Sequence, residues 1–445
     1  MAGRLDSDSL LLLNDALARL EQGFAHLPDH AARAGDAEAL RDALLAAAER
    51  LRDNYPYFHP HYAGQMLKPP HAVARLAYAL AMWINPNNHA LDGGRASSAM
   101  EKEAVADIAR MFGWEAHLGH LTSGGTMANL EALWIAGELK PGAAVLATSQ
   151  AHYTHGRISA VLKLPFESVP ADNRGRMDLA ALERRLQAGG VGTVVATLGT
   201  TATGSVDPLP DILALRDRYG FRLHADCAYG GYYTLADNLA SPARAAFDRL
   251  CDVDSLVIDP HKHGLQPYGC GCVLFRDPSV GSHYRHDSPY TYFSSDELHL
   301  GEISLECSRP GAAAVALWTT QRLLPLVPGG EFARMLHDCR AAALMFHTEL
   351  AKDTRFIAPL APELDIVVFA VRARTAAESS QRAGEIFAKA ERAGLYLALA
   401  ELPTAFFGDP WTSGDKVTAL RSVLMKPDHR GTLPAILKLL SDSAA

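Results

Sequence analysis

Two residues, a lysine and an aspartate, set out the chemistry open to this chain. Lys262 lies in Ser255 to Phe275, SLVIDPHKHGLQPYGCGCVLF, within Asp259-Pro260-His261-Lys262. An apolar run precedes it and a Gly- and Cys-rich run follows, and both flanks read as buried strands. The lysine is therefore expected at a turn inside a site and not on a solvated surface. Desolvation disfavours an ammonium, and a neutral lysine amine condenses with a carbonyl to form a Schiff base. Lys262 is a candidate for holding an aldehyde cofactor, and an ordinary lysine in a β-turn is the plainer alternative. Asp226 follows Phe221-Arg222-Leu223 in His224-Ala225-Asp226-Cys227-Ala228-Tyr229-Gly230-Gly231. That places it near the C-terminal end of a short strand, where open α/β sheets bind ligands. A carboxylate there pairs with a pyridinium nitrogen and keeps the ring an electron sink.

Asp226 and Lys262 are 36 residues apart, room for one crossover helix and the next strand. In this arrangement the sequence resembles the fold type I enzymes dependent on pyridoxal 5′-phosphate, and within them the group II amino-acid decarboxylases. The resemblance covers roughly residues 50 to 430.

Ser123-Gly124-Gly125-Thr126 precedes the helical pattern LEALWIAGELK. A glycine pair at a helix start lets backbone N–H groups approach an anion, and the helix dipole favours negative charge. Such a tetrapeptide is common in turns, and it gains weight because it resembles the family's phosphate-binding motif. The same resemblance implies that His152 stacks on the cofactor ring and that Thr200 lies near the ring oxygen. Ala228 and His261 are expected beside them. Arg157 stands where the family has a lysine after that histidine. Leu305 to Gly311, with Ser308 and Arg309, matches the motif before the family's long interdomain helix.

On the substrate side the resemblance points to the aromatic, proline-broken segment Asn54 to Gln65. His59, His61 and His89 are candidate substrate contacts, with a structural hydrogen-bonding role as the alternative for each. The stretch YRHDSPYTYFSSDELHL, residues 284–300, reads as a loop. In the family a loop tyrosine quenches the carbanion after CO2 departs, and here the candidates are Tyr290 and Tyr292, with His152 next. Arg421, in an apolar strand-like run, resembles the arginine that contacts the substrate α-carboxylate; a salt bridge to Glu401 is the competing reading. The implied activity is decarboxylation of an L-amino acid to its amine. Two alternatives are a carbon–carbon aldehyde lyase of the sphingosine-phosphate lyase type and a non-catalytic protein with the same fold.

The elements that must position these residues follow from periodicity. Strand, helix, strand repeats through residues 120 to 275, which signals a mostly parallel sheet flanked by helices. The expected fold is therefore α/β, with a large cofactor domain over residues 61–328 and a small α/β domain over 329–445. Residues 1–60 carry Leu and Ala at helical spacing and read as an amphipathic arm. In the resembled family such an arm packs across a homodimer; an intramolecular hairpin is the alternative. Ser97, Ser98 and Glu101 read as an N-cap with its glutamate before a helix.

Composition narrows the remaining classes. A chain of 445 residues, 48% hydrophobic and 21% charged, buries a large core in two or three domains. A net charge of −8 argues against nucleic acid and anionic membrane as partners. No apolar run reaches the ~18 residues of a membrane span, and the first segment is not expected to be a signal peptide. Six cysteines without framework spacing suit a reducing cytoplasm. Cys270-Gly271-Cys272 has no second pair at zinc spacing, so no metal is expected.

Overall fold

The structure is a computed structural model that describes residues 7–28, 35–285 and 299–445. Its first layer is a seven-stranded sheet of short strands. These are β1 (Leu118–Thr122), β2 (Ala144–Thr148), β3 (Phe166–Val169), β4 (Val191–Thr197), β5 (Arg222–Asp226), β6 (Ser255–Ile258) and β7 (Gly271–Phe275), in the order β1-β7-β6-β5-β4-β2-β3. Pairs β3–β2–β4–β5–β6 are parallel, and β7 runs antiparallel to both β6 and β1. Strands covered on both faces need no polar alternation. β2, β6 and β7 are buried at every position.

Before the sheet come α1 (Ser7–Gln22), α2 (Ala37–Leu51), α3 (Ala72–Met82) and α4 (Leu91–Met111); the strands are linked by α5 (Gly125–Leu139), α6 (Thr154–Val161), α7 (Leu179–Gln187), α8 (Leu209–Tyr219) and α9 (Ser241–Asp248), and α10 (Gly311–Leu323) follows the last of them. Leu146, Val194, Leu223, Leu256 and Leu274 are fully buried in the sheet layer, worth about 2 kcal/mol each in apolar transfer.

A second, four-stranded sheet is antiparallel: β8 (Phe356–Ile357), β9 (Ile366–Val371), β10 (Ala398–Pro403) and β11 (Lys416–Val423), in the order β10-β11-β9-β8. It is covered by α11 (Glu331–Lys352), α12 (Ala376–Arg392) and α13 (His429–Ser443). Helix α11 joins the two bodies, because Phe332, Ala333 and Leu336 belong to the main core and Ala342, Phe346 and Leu350 to the small one. The α12 start is a capping box, with Thr375 Oγ1 accepting from Glu378 N and the Glu378 carboxylate from Thr375 N.

The expected box at Ser97, Ser98 and Glu101 is different. Helix α4 already begins at Leu91 and breaks at Gly94, and Glu101 is buried in it. Glu101 accepts from Arg309 Nη1 at 2.8 Å, from Asn88 Nδ2 at 2.6 Å and from Leu121 N at 2.9 Å. A buried carboxylate needs such partners, and these tie the start of α10 to β1. Helix α2 has no buried residue, so Leu40, Leu44 and Leu51 present an apolar stripe that the described residues leave uncovered.

Candidate active site

Parallel strands end together, and the cavity lies where they end. Asp226 closes β5, Thr197 closes β4 beside it in register, and the turn after β6 carries Asp259 to Lys262. With the start of α5 and the start of α6 these residues enclose a cavity of about 300 Å³. Ser123, Gly124, Gly125, Thr126, His152, Asp226, Ala228, His261 and Lys262 all face it.

Lys262 is not a lone buried amine. Its Nζ lies 3.1 Å from Asp259 Oδ2. Asp259 is 2% exposed, its Oδ1 has no hydrogen-bond partner among the described residues, and Oδ2 also lies 3.5 Å from His261 Nε2. His261 hydrogen-bonds the Cys270 carbonyl through Nδ1 at 2.8 Å, which anchors the lysine turn to the head of β7. Burial lowers the His261 pKa.

Asp226 is held by three donors. The Ala228 N–H donates to Oδ1 at 3.1 Å, His155 Nε2 to Oδ2 at 2.8 Å, and Asn129 Nδ2 reaches Oδ2 at 3.5 Å. Burial alone would raise the pKa of this carboxyl. The His155 hydrogen bond and charge, the Ala228 N–H and the Lys262 charge outweigh it, and Asp226 is held well below the ordinary carboxylate range. Behind Asn129 stands His224, fully buried and pushed down to about 3 by that burial. Neutral His224 donates from Nε2 to Asn129 Oδ1 at 2.9 Å, and its Nδ1 takes the Ser255 hydroxyl at 2.9 Å. A pyridinium N–H directed at Asp226 would therefore meet an anion already oriented from behind.

The glycine pair starts α5. Gly124 adopts φ +156°, and a Cβ on Gly125 would come within 2.7 Å of Asp259 Oδ2. Any side chain there would press on the carboxylate that pairs with Lys262. The first turn of a helix also leaves N–H groups without intrahelical partners. Ser123 N–H instead donates to Glu306 at 2.9 Å, so an anion in the cup must compete with that carboxylate.

His152 lies on the cavity wall at the entry to α6, its Nδ1 accepting from the Thr154 N–H at 3.2 Å; burial lowers its pKa. Thr200 is placed elsewhere. It is fully buried, and its hydroxyl is bound to Thr203 at 2.8 Å and to Ser205 N at 3.0 Å, while Thr201 faces the cavity. His59 and His61 pack on each other, ring centroids 4.6 Å apart, and His89 Nε2 lies 3.7 Å from Cys307 Sγ; none lines the cavity within this chain. Tyr290 and Tyr292 lie outside the described residues.

Arg421 sits 3% exposed on β11, with its guanidinium turned to carbonyls. Nε donates to Ala202 O at 3.1 Å, Nη2 to Thr201 O at 2.7 Å, and Nη1 to Gly64 O at 3.3 Å and Gln65 Oε1 at 3.1 Å. Glu401 is not its partner, since that carboxylate pairs with Lys416 at 2.8 Å on the surface. The arginine joins the cavity-wall loop to the segment after Tyr62.

A conserved-domain profile described as pyridoxal-dependent decarboxylase matches residues 138–372, more than half of the chain. The chain belongs to the pyridoxal-dependent decarboxylase family. Among its relatives is the L-tyrosine decarboxylase of Enterococcus faecium, 27% identical over 408 residues, which cover 69% of this chain and 66% of that protein. The L-2,4-diaminobutyrate decarboxylase of Acinetobacter baumannii is 29% identical over 300 residues, 59% of this chain and 58% of that protein. The chain thus spans less than two thirds of the length of these two relatives. The crystal structure of mouse CSAD shares the fold with a TM-score of 0.78 at 20% identity, covering 98% of this chain and 99% of that one.

The cofactor of this family is pyridoxal phosphate, and the cavity residues fit it. An amine, an anion opposite it and a glycine-lined helix start share one space, and Thr197, whose buried Oγ1 has no hydrogen-bond partner among the described residues, lines the same space. Sequence reasoning missed Asn129, Thr201, Asp259 and the use of His155. Asp259 was recoverable from its place three residues before Lys262 in a turn. For Asn129 and His155 the helical spacing from Thr126 and His152 was the one signal available.

Proposed function

We propose that this chain binds pyridoxal phosphate and decarboxylates an L-amino acid to the corresponding amine and CO2. The observation that carries the reading is that Lys262 and Asp226 face one cavity whose edge is the Gly124-Gly125 helix start. When bound, the cofactor supplies a protonated ring that accepts the electron pair left as the Cα carboxylate departs. The chain's residues do the rest. Lys262 would hold the cofactor through its aldehyde carbon. Asp226 holds the proton at the ring nitrogen. His152 would lie against the ring, and Ser123 to Thr126 would hold the phosphate at the positive end of α5.

Once CO2 has left, a proton must reach Cα. The candidates to supply it are Tyr290 and Tyr292, with His152, which lines the cavity, next. Both relatives described above are named decarboxylases, which favours loss of CO2 over carbon–carbon cleavage. The side chains in those names are aromatic in one case and cationic in the other, so the substrate is an L-amino acid whose side chain the family relation leaves open.

A homodimer suits the uncovered leucines of α1 and α2, with Leu10, Leu40 and Leu44 each more than half exposed. Burying that face on a second copy removes apolar surface from water. All six cysteines are free, as in a reducing cytoplasm. Among the described residues no helix is long and apolar enough to cross a membrane.

The test is a reconstitution with pyridoxal phosphate followed by incubation with a panel of L-amino acids. CO2 and the matching amine are expected for at least one of them. An aldehyde fragment without CO2 would assign a carbon–carbon lyase, and a bound but inert cofactor a non-catalytic protein.

A further inference from the structure

The small domain reaches the cavity wall through three consecutive residues, Glu363, Leu364 and Asp365, at the entry to β9. The Glu363 carboxylate accepts from Val206 N at 2.6 Å, on the loop after β4. Leu364, fully buried, packs into a space that two glycines leave open. A Cβ at Gly199 or Gly230 would come within 3.0 Å or 3.1 Å of its Cδ1. Asp365 has no solvent exposure; it accepts from the Tyr229 hydroxyl at 2.5 Å and lies 3.2 Å from His263 Nε2, off the line of a good hydrogen bond.

These partners are the residues just beyond the ends of β4, β5 and β6. Gly199 and Tyr229 line the cavity, and His263 is the residue after Lys262. The His263 ring packs between Tyr229 and Tyr233, with centroids at 4.8 Å and 5.1 Å. A carboxylate buried in such a place costs several kcal/mol unless its partners compensate. Burial would raise the Asp365 pKa, and the nearby His263 and the Tyr229 hydroxyl hold it below the ordinary range instead. Packing alone would be served as well by an apolar side chain of the same volume.

We propose that Asp365 is a positioning residue, which through Tyr229 and His263 sets the Lys262 turn and one cavity wall from the small domain. The seating of the small domain then determines how the cofactor is held. This rests on the reading of the cavity as a pyridoxal phosphate site.

The test compares wild type with Y229F, D365N and the double variant by three measurements. They are the unfolding temperature without cofactor, the Kd for pyridoxal phosphate, and the visible circular dichroism of the bound cofactor. Y229F removes one hydroxyl and keeps the ring, so the unfolding temperature should stay within a few degrees. A hydrogen bond to a buried charge is worth about tenfold in binding, and Kd should rise by that factor while the dichroic band changes amplitude. Acting as a unit, the double variant should be no weaker than D365N. If D365N fails to fold, Y229F decides alone. A wild-type band and Kd in Y229F would overturn the proposal, as would additive losses that follow the unfolding temperature. Absence of any cofactor band in the wild type would overturn the cofactor reading as well, whereas a normal wild-type band with an unchanged Y229F overturns this proposal only.

Discussion

His155 Nε2 lies 2.8 Å from Asp226 Oδ2, and both side chains are buried. A carboxylate only accepts, so the imidazole donates, and its Nδ1 is left without a partner among the described residues. The whole hydrogen-bonding capacity of this histidine on that side is spent on orienting the anion that faces the cavity.

Replacing His155 with Leu should therefore weaken pyridoxal phosphate binding. A hydrogen bond to a charged group contributes about 1.5–3 kcal/mol, so Kd should rise by roughly tenfold or more. H155Q, which carries an amide donor at the end of a chain of similar reach, should recover most of the affinity. Titration of the cofactor-free chain measures both. Equal weakening in H155L and H155Q would show that ring packing, not donation, is what matters.

Arg421 donates to three backbone carbonyls and to the Gln65 side chain. R421M leaves those acceptors buried and unpaired, at a cost of about 1–3 kcal/mol for each that water cannot reach. Stability should fall by several kcal/mol in urea titration, and binding of amino acids and of carboxylate-free amines should fall together. A loss confined to amino acids would return Arg421 to the role of carboxylate contact.

The contrast between these residues shows what the sequence could convey. Lys262, Asp226 and the Gly124-Gly125 pair are legible because each sits at a strand end or helix start, and strand and helix signals are local. The mostly parallel character of the large sheet followed from the same alternation, whereas its strand order did not. Arg421 was legible as a buried arginine, but its partners are carbonyls of Gly64, Thr201 and Ala202, and backbone groups leave no trace in side-chain pattern. Glu101 misled because a serine pair three residues before a glutamate imitates a cap; its partner Arg309 is 208 positions away. Asp365 and Tyr229 are 136 positions apart, and no spacing rule connects them.

Gly125→Ala tests the helix start. The added Cβ would stand 2.7 Å from Asp259 Oδ2, closer than real contacts allow. The carboxylate and Lys262 must shift, and overpacking of this kind costs about 1–3 kcal/mol. Cofactor affinity should drop by about tenfold or more with little change in far-ultraviolet circular dichroism. Unchanged affinity would place the phosphate elsewhere.

Acid stability follows from two buried histidines. Burial pushes His224 and His429 down to about 3, against about 6.5 in the unfolded chain. Between those values the unfolded chain binds protons that the native chain refuses, so stability falls as pH falls through that window and is flat with respect to them above it. At about pH 5 each should cost about 2 kcal/mol relative to neutral pH. H429Q should shrink the loss of urea midpoint between about pH 7.5 and about pH 5. The same loss in H429Q as in wild type would mean that His429 titrates normally.

The central claim is that Lys262 holds the cofactor. Reduction of the reconstituted chain with borohydride, followed by peptide mass spectrometry, tests it directly. One pyridoxyl-phosphate adduct is expected, on the peptide that contains Lys262, absent from K262A although that variant keeps its fold. An adduct on a different lysine, or one that survives in K262A at wild-type yield, would contradict it.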